Sequence, residues 1–186
     1  MQHWLISDLH LGHQNIYKFV YTDKYGVERR VRERFKDAAE GDAYMIQRWN
    51  EIVKPEDHVW DLGDVTMERA ASAKHRFCGL IRSLNGHKRL VLGNHDHLPM
   101  AVYSEAGYEK IRGSHRIDNL ILTHYPIHQS GIKLGLVNCH GHIHQNPSPP
   151  GPYINMSVEV NRYEVVALED VKVKARKIVE KLREAS

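Results

Sequence analysis

Five times along this chain a short segment places metal-binding side chains close together, and most of these segments directly follow an apolar run. They are Asp8-Leu9-His10, Gly63-Asp64, Gly93-Asn94-His95-Asp96, His124-Tyr125-Pro126 and Gly141-His142-Ile143-His144. The preceding runs have the length and composition of buried β-strands. A chain that returns this often to strand-then-donor gathers its donors at one edge of a sheet, which demands several strands whose ends converge. In an extended segment residues i and i+2 point the same way, roughly 6.5 to 7 Å apart. Asp8 with His10, and His142 with His144, can therefore converge on one ion or reach two neighbouring ones. Glycine ahead of the donor, at Gly63, Gly93 and Gly141, permits a sharp exit and close backbone approach.

Between the clusters the order of elements follows from periodicity. His3 to Ser7 suits a buried strand, and residues 42 to 53 space Met45, Ile46, Trp49, Ile52 and Val53 as a helix with Asp42 as its N-cap. Strand His58 to Leu62, a helix with Phe77, Leu80, Ile81 and Leu84 on one side, the Asn85-Gly86 turn and strand Arg89 to Leu92 follow. That alternation predicts a parallel, largely buried sheet. Ile117, Leu120 to Leu122, Leu134 to Val137, Ile154 to Val160 and Val165 to Leu168 predict short strands of an antiparallel or mixed sheet, and residues 169 to 184 a closing charged helix. The proline-rich stretch 145 to 152 reads as a surface loop. Residues 24 to 36, with Lys24, Arg29, Arg30, Arg32, Arg34 and Lys36, read as a solvated, partly helical insertion, or alternatively as a phosphate-attracting rim.

Composition narrows the class. A chain of 186 residues fits a single domain over 1–186, and a net charge of +3 does not by itself imply nucleic acid. Cys78 and Cys139 read as buried thiols, which points to a reducing cytoplasm. No apolar stretch approaches the roughly 18 residues that span a bilayer, and the first ten residues, which already hold Asp8 and His10, do not read as a signal peptide. Of 14 histidines, five lie inside the clusters. His3, His58, His75, His87, His115 and His140 read as structural or surface residues, and Asp57 and Asp61 as strand-flanking caps. Aspartate supplies a hard oxygen able to bridge two cations, while imidazole favours Mn, Fe, Co, Ni or Zn over Mg or Ca. Two adjacent cations of that kind suit phosphate ester hydrolysis.

Together the clusters resemble the calcineurin-like metallophosphoesterase superfamily, whose pattern is D-x-H, G-D, G-N-H-D, H, then G-H-x-H. The resemblance runs from residue 8 to 144. The Trp49-Asn50 pair, His124-Tyr125-Pro126 and the run Ile154-Asn155-Met156-Ser157-Val158-Glu159 are similar to a small bacterial and phage phosphoesterase subgroup. The resemblance implies an α/β fold of two facing mixed β-sheets flanked by helices, a four-layer sandwich. It implies one metal held by Asp8, His10, Asp64 and His144, and a second by Asp64, Asn94, His124 and His142. His95 would donate a proton to the leaving oxygen or stabilise its developing charge, and Asp96 would hydrogen-bond His95 and hold its ring.

The implied activity is hydrolysis of phosphodiesters or phosphomonoesters by a hydroxide held between two divalent or trivalent ions, Mn²⁺ foremost, with Fe, Ni, Co or Zn as alternatives. The expected partner is a small phosphate ester, with no membrane. A nuclease or cyclic nucleotide phosphodiesterase is the alternative, and a non-catalytic scaffold on the same fold a third. The chain departs from the protein phosphatases of the superfamily, which continue G-D-x-x-D-R-G, by reading Gly63-Asp64-Val65-Thr66-Met67-Glu68-Arg69. The substrate-gripping residues are therefore unassigned, with Arg34, Arg69, Arg112, His13 and His128 as candidates.

Overall fold

The computed structural model describes residues 1–67 and 74–184. In chain order its elements are β1 (His3–Ile6), β2 (Val20–Thr22), β3 (Glu28–Arg30), α1 (Ala38–Ile52), β4 (His58–Asp61), α2 (Lys74–Arg82), β5 (His87–Val91) and α3 (Met100–Ala106). There follow β6 (Tyr108–Arg112), β7 (His115–Ile117), β8 (Leu120–Leu122), β9 (Val137–His140), β10 (Tyr153–Asn155), β11 (Val166–Ala167) and α4 (Leu168–Glu184). One sheet has the order β11-β1-β4-β5-β6, a second β10-β9-β8-β7, and β2-β3 form a separate hairpin. In the first sheet β1, β4, β5 and β6 are parallel and β11 is an antiparallel edge. In the second, β8, β9 and β10 are parallel and β7 is antiparallel. Both sheets are mixed, as the resemblance implies; the strand expected at Val165 to Leu168 in the second sheet is β11 and instead forms the antiparallel edge of the first, and the second sheet is mostly parallel.

Two apolar layers follow from the alternation of side chains along the strands. Ile6, Val59 and Leu90 face one way and pack with Met45 and Trp49 of α1, Phe77 and Ile81 of α2, and Tyr103 of α3. Leu5, Trp60 and Val91 face the other way, toward Leu120, Leu122 and Cys139 of the second sheet, and α4 adds Leu168, Val171 and Ala175. Leu5 and Ile6 of β1 and Val59, Trp60 and Asp61 of β4 are buried on both faces of the sheet, as in the middle of a parallel array, whereas β6 at the edge exposes Glu109, Lys110 and Arg112. Cys78 and Cys139 are buried and unpaired. Among the described residues no helix is long and apolar enough to cross a membrane.

Several boundaries differ from the periodicity. Helix α1 begins at Ala38, capped by Asp37, whose carboxylate accepts the Glu40 N–H at 3.0 Å. Asp42 lies inside the helix instead, accepting the Gly12 N–H at 2.7 Å. A cap is chosen by which carboxylate meets the free N–H groups, and the apolar spacing alone placed it one turn late. The predicted strand at Leu134 starts at Val137, and the run from Ile154 stops at Asn155, giving way to a 3-10 turn over Val158–Val160. Helix α3 and β6 went unread; α3 ends at Gly107, whose φ of 107° suits only glycine. Residues 24 to 36 form no solvated helix: Glu28–Arg30 pairs with Val20–Thr22, and Arg32 is fully buried. The Trp49-Asn50 pair latches α1 to the turn before β5, with Trp49 Nε1 donating to the Asn85 carbonyl at 2.9 Å and Asn50 Oδ1 accepting the Asn85 N–H at 2.8 Å.

The two flanking aspartates act as the sequence predicts. Asp57 accepts from the Gln2 N–H and the Trp4 indole, at 2.6 and 3.1 Å, tying the start of β1 to the segment before β4. Asp61 is fully buried and accepts from the Tyr108 hydroxyl at 2.8 Å and the Gly63 N–H at 3.1 Å. Burial pushes its carboxyl up to about 8, partly offset by the Tyr108 hydroxyl. Between the unfolded value near 4 and about 8 the folded state keeps a proton that the unfolded chain has lost, so this group's stabilising contribution falls as pH rises. Asp61→Asn removes that dependence. In thermal melts with chelator, wild type should lose about 1–2 kcal/mol more than the variant between pH 6 and 8, roughly 2–8 °C in Tm. Parallel profiles would show that Asp61 is ionised throughout.

Candidate metal centre

Every donor cluster follows the carboxyl end of a strand, the edge at which parallel sheets present ligand sites. Asp8 and His10 follow β1, Asp64 follows β4, Asn94 and His95 follow β5, His124 follows β8, and His142 and His144 follow β9. Beyond the strands the ladder persists between loops: Asp8 N–H to Gly63 O, His10 N–H to Asp64 O and Gly141 N–H to His124 O, each at 2.9 Å. The two sheets meet here through Asp8, whose carboxylate accepts the His142 N–H at 3.0 Å.

These loops hold unusual backbone. Asp8, His10, Asp64, His142 and His144 have φ of 63°, 48°, 55°, 71° and 50°, the left-handed region that side chains other than glycine rarely occupy. Such residues cost of order 1 kcal/mol or more each and persist where their surroundings over-determine them. Gly93 and Gly141 allow the approach: a Cβ on Gly93 would collide with the Asp64 carboxylate, and one on Gly141 with the Asp8 carboxylate and the Ser7 hydroxyl.

The seven predicted donors come together. Ligand atoms of Asp8, His10 and His144 lie within 4.8 Å of one another, and so do those of Asp64, His124 and His142. Asp64 joins the groups, its Oδ2 being 3.6 Å from His10 Nε2 and 3.3 Å from His124 Nε2. Asn94 Oδ1 lies 2.9 Å from both His124 Nε2 and His142 Nδ1. Asp8, His10, Asp64 and His124 are each at most 2% exposed.

The protonation pattern favours a cation. His124 Nδ1 lies 2.9 Å from the Leu62 carbonyl, which can only accept, so Nδ1 carries the proton. Its Nε2 then points a lone pair at the oxygens of Asp64 and Asn94, an arrangement that requires either a second proton or a metal ion. Burial lowers the His124 pKa, but the Asp64 hydrogen bond and the charges of Asp8 and Asp64 outweigh it and raise the net value. His10 goes the other way: burial, then His144 and Arg32, hold it well below the usual histidine range. Both its ring nitrogens are buried with no hydrogen-bond partner among the described residues. Buried polar atoms are almost always satisfied, so a neutral imidazole without partners beside two carboxylates fits a metal ligand. Burial raises Asp8, whereas for Asp64 burial is outweighed by His124 and the value falls.

His95 lies on the more open side, with Nε2 4.0 Å from Asp64 Oδ2 and its N–H donating to Asp64 Oδ1 at 2.8 Å. The expectation that Asp96 holds the His95 ring is corrected. Asp96 Oδ2 accepts the N–H groups of Gly93 and Asp64 at 2.8 and 2.9 Å, and Oδ1 that of Val65 at 3.1 Å. Three backbone donors occupy the carboxylate, and among the described residues His95 Nδ1 has no hydrogen-bond partner. Asp96 therefore knots the β4 and β5 loops together.

Of the phosphate-gripping candidates, His13 reaches the site, its ring 5.6 Å from that of His10. Arg34 stacks on Tyr44 at 4.1 Å, Arg112 lines a cleft with His115 and Arg116, and His128 caps a short turn through Ser130. Arg69 lies outside the described residues. Sequence reasoning missed Arg32 and Glu159, which back the Asp8 and His144 loops. Arg32 was hidden in a basic run, and Glu159 stood at the end of the subgroup-like run Ile154 to Glu159, which carried no role for it.

Comparison with known proteins bears on the family and the fold. The family profile described as calcineurin-like phosphoesterase matches residues 1–179. An uncharacterized protein of Methanocaldococcus jannaschii is 29% identical over 175 residues, covering 89% of this chain and 86% of its own. The Gene 66 protein of Mycobacterium phage L5 is 34% identical over 93 residues, covering 50% of this chain and 39% of its own. A crystal structure of a protein of unknown function from Aquifex aeolicus superposes with a TM-score of 0.68 at 23% identity, covering 92% of this chain and 97% of that one, and supports the fold.

Asp96→Ala leaves the N–H groups of Gly93, Asp64 and Val65 without their acceptor, at about 1–3 kcal/mol for each buried donor stranded. Urea unfolding should show a loss of about 3 kcal/mol or more. A loss under about 1 kcal/mol, the usual range for a surface change, would mean that the knot is dispensable.

Proposed function

The chain belongs to the calcineurin-like phosphoesterase family, and from that premise we propose that it hydrolyses small phosphodiesters or phosphomonoesters using two metal ions held side by side. The observation that carries the reading is the shared Asp64 carboxylate, in contact with imidazoles of both donor groups. Asp8, His10, Asp64 and His144 would hold one ion; Asp64, Asn94, His124 and His142 would hold the other. The mixture of carboxylate, amide oxygen and imidazole suits Mn²⁺ first, then Fe, Co, Ni or Zn. Such a pair, when bound, lowers the pKa of water between the ions and neutralises the non-bridging oxygens of a phosphate.

The chain's own residues supply orientation and a proton. The knotted loops fix the donors before substrate arrives, so little reorganisation is needed during reaction. His95 is the proposed general acid: partly exposed, beside the donor cluster, with one ring nitrogen uncommitted. It would protonate the leaving oxygen. His13, against His10 on the rim, is the proposed contact for a substrate oxygen. The polynucleotide reading draws less from the basic segment than its six cations suggest, since Arg32 is buried, Arg29 pairs with Asp23 and Glu33, and Arg34 lies on Tyr44. The two unpaired buried cysteines support a reducing cytosol as the working compartment.

With Mn²⁺ present, Asp64→Ala should abolish turnover of aryl phosphate mono- and diesters. His95→Ala should keep its metal and lose about 10²- to 10⁴-fold in kcat, the usual worth of a general acid. Turnover within threefold of wild type in either variant would sink the proposal.

A further inference from the structure

The donors at this site are backed by an ion pair outside the five clusters, between Arg32 and Glu159, the last residue of the subgroup-like run Ile154 to Glu159. Arg32 follows β3, and Glu159 lies in the 3-10 turn Val158–Val160. Arg32 is 0% exposed and the Glu159 side chain 1%. Nε and Nη2 of Arg32 each lie 2.9 Å from Glu159 Oε1. The rest of the guanidinium holds backbone: Nη2 donates to the Asp8 carbonyl at 2.7 Å and Nη1 to the Leu9 carbonyl at 3.0 Å. The same Glu159 Oε1 lies 3.2 Å from His144 Nδ1. One carboxylate oxygen thus meets the guanidinium that clamps the first donor loop and the imidazole that ends the last.

A fully buried Arg–Glu pair is a poor way to gain stability, because desolvating both charges cancels most of their attraction, and apolar side chains could fill the same space. A charged pair adds direction. The planar guanidinium fork sets where the carboxylate points. A carboxylate behind a ligating histidine fixes which ring nitrogen carries the proton and makes the other a stronger donor. The ligand histidines here differ in support. Among the described residues His124 leans on a neutral carbonyl, His10 has no partner at either nitrogen, and His144 Nδ1 has the Glu159 carboxylate 3.2 Å away, though out of line for a hydrogen bond.

Resting on the dinuclear reading of the site, we propose that Glu159 is a positioning residue for His144. With the ion bound, its carboxylate accepts the His144 Nδ1 proton and leaves Nε2 to ligate beside Asp8 and His10. Arg32 keeps that carboxylate aimed and clamps the Asp8–Leu9 backbone to it. The 3-10 turn after β10 and the segment after β3 are thereby part of one metal's binding site, although neither supplies a ligand.

The test is calorimetric titration of Mn²⁺ into chelator-stripped full-length wild type and Glu159→Gln, which keeps shape and loses charge. Wild type should show two binding events. In the variant one should weaken by about 10- to 100-fold and the other stay within about twofold. Two unchanged affinities in a folded but less stable variant would overturn the proposal and leave Glu159 as scaffold. Fewer than two events in wild type would overturn the site reading itself, a separately recognisable failure. Should the variant not fold, nitrogen-detected histidine spectra of Zn²⁺-loaded wild type decide the matter. His144 protonated at Nδ1 and ligated at Nε2 is the expected result; the reverse tautomer contradicts the proposal.

Discussion

Two carboxylates and a set of imidazole lone pairs, buried at the meeting edge of two sheets, set the terms for the rest of this molecule. Asp8 and Asp64 are essentially inaccessible, and the nitrogens of His10 and His124 nearest Asp64 face acceptors or no partner. Such a cluster is expensive without positive charge at its centre. The fold gathers it regardless: five donor residues adopt left-handed backbone, and two glycines stand where a methyl group would strike a carboxylate. Asp96 from within the loops and Arg32 from behind hold that geometry in place. Metal affinity and local folding are therefore coupled, since cations that bind only the folded state also stabilise it.

What could be read in the sequence was what chemistry makes local. A donor after an apolar run is visible in a few residues, and the parallel order of β1, β4 and β5 follows from the helices between them. All seven donors are gathered where the clusters pointed. Features set by distant contacts were not readable. Asp42 resembles a cap by spacing, yet Asp37 caps the helix and Asp42 bonds Gly12, 30 positions away. Asp96 follows His95 in sequence, but backbone donors from two loops claim its carboxylate. Arg32 sits among surface cations and is the buried one, because its partner lies 127 positions further on.

The same separation explains how function divides over the chain. Phosphoester hydrolysis needs charge, a water and a proton donor, and the strand-end clusters carry residues suited to all three. On the proposed reading, grip on the remainder of the substrate would fall to rim residues such as His13, outside the donor pattern. Motifs therefore identify the family while the rim decides the substrate, as is general for folds that host many activities.

The central claim is that Asp64 lies between two cations. Anomalous diffraction from a manganese-loaded crystal tests it directly. The account predicts two peaks flanking the Asp64 carboxylate, about 3.5 to 4 Å apart, one beside His10 and His144 and the other beside His124 and His142. A single peak away from Asp64, or none in a crystal whose donors keep the arrangement described, would contradict it.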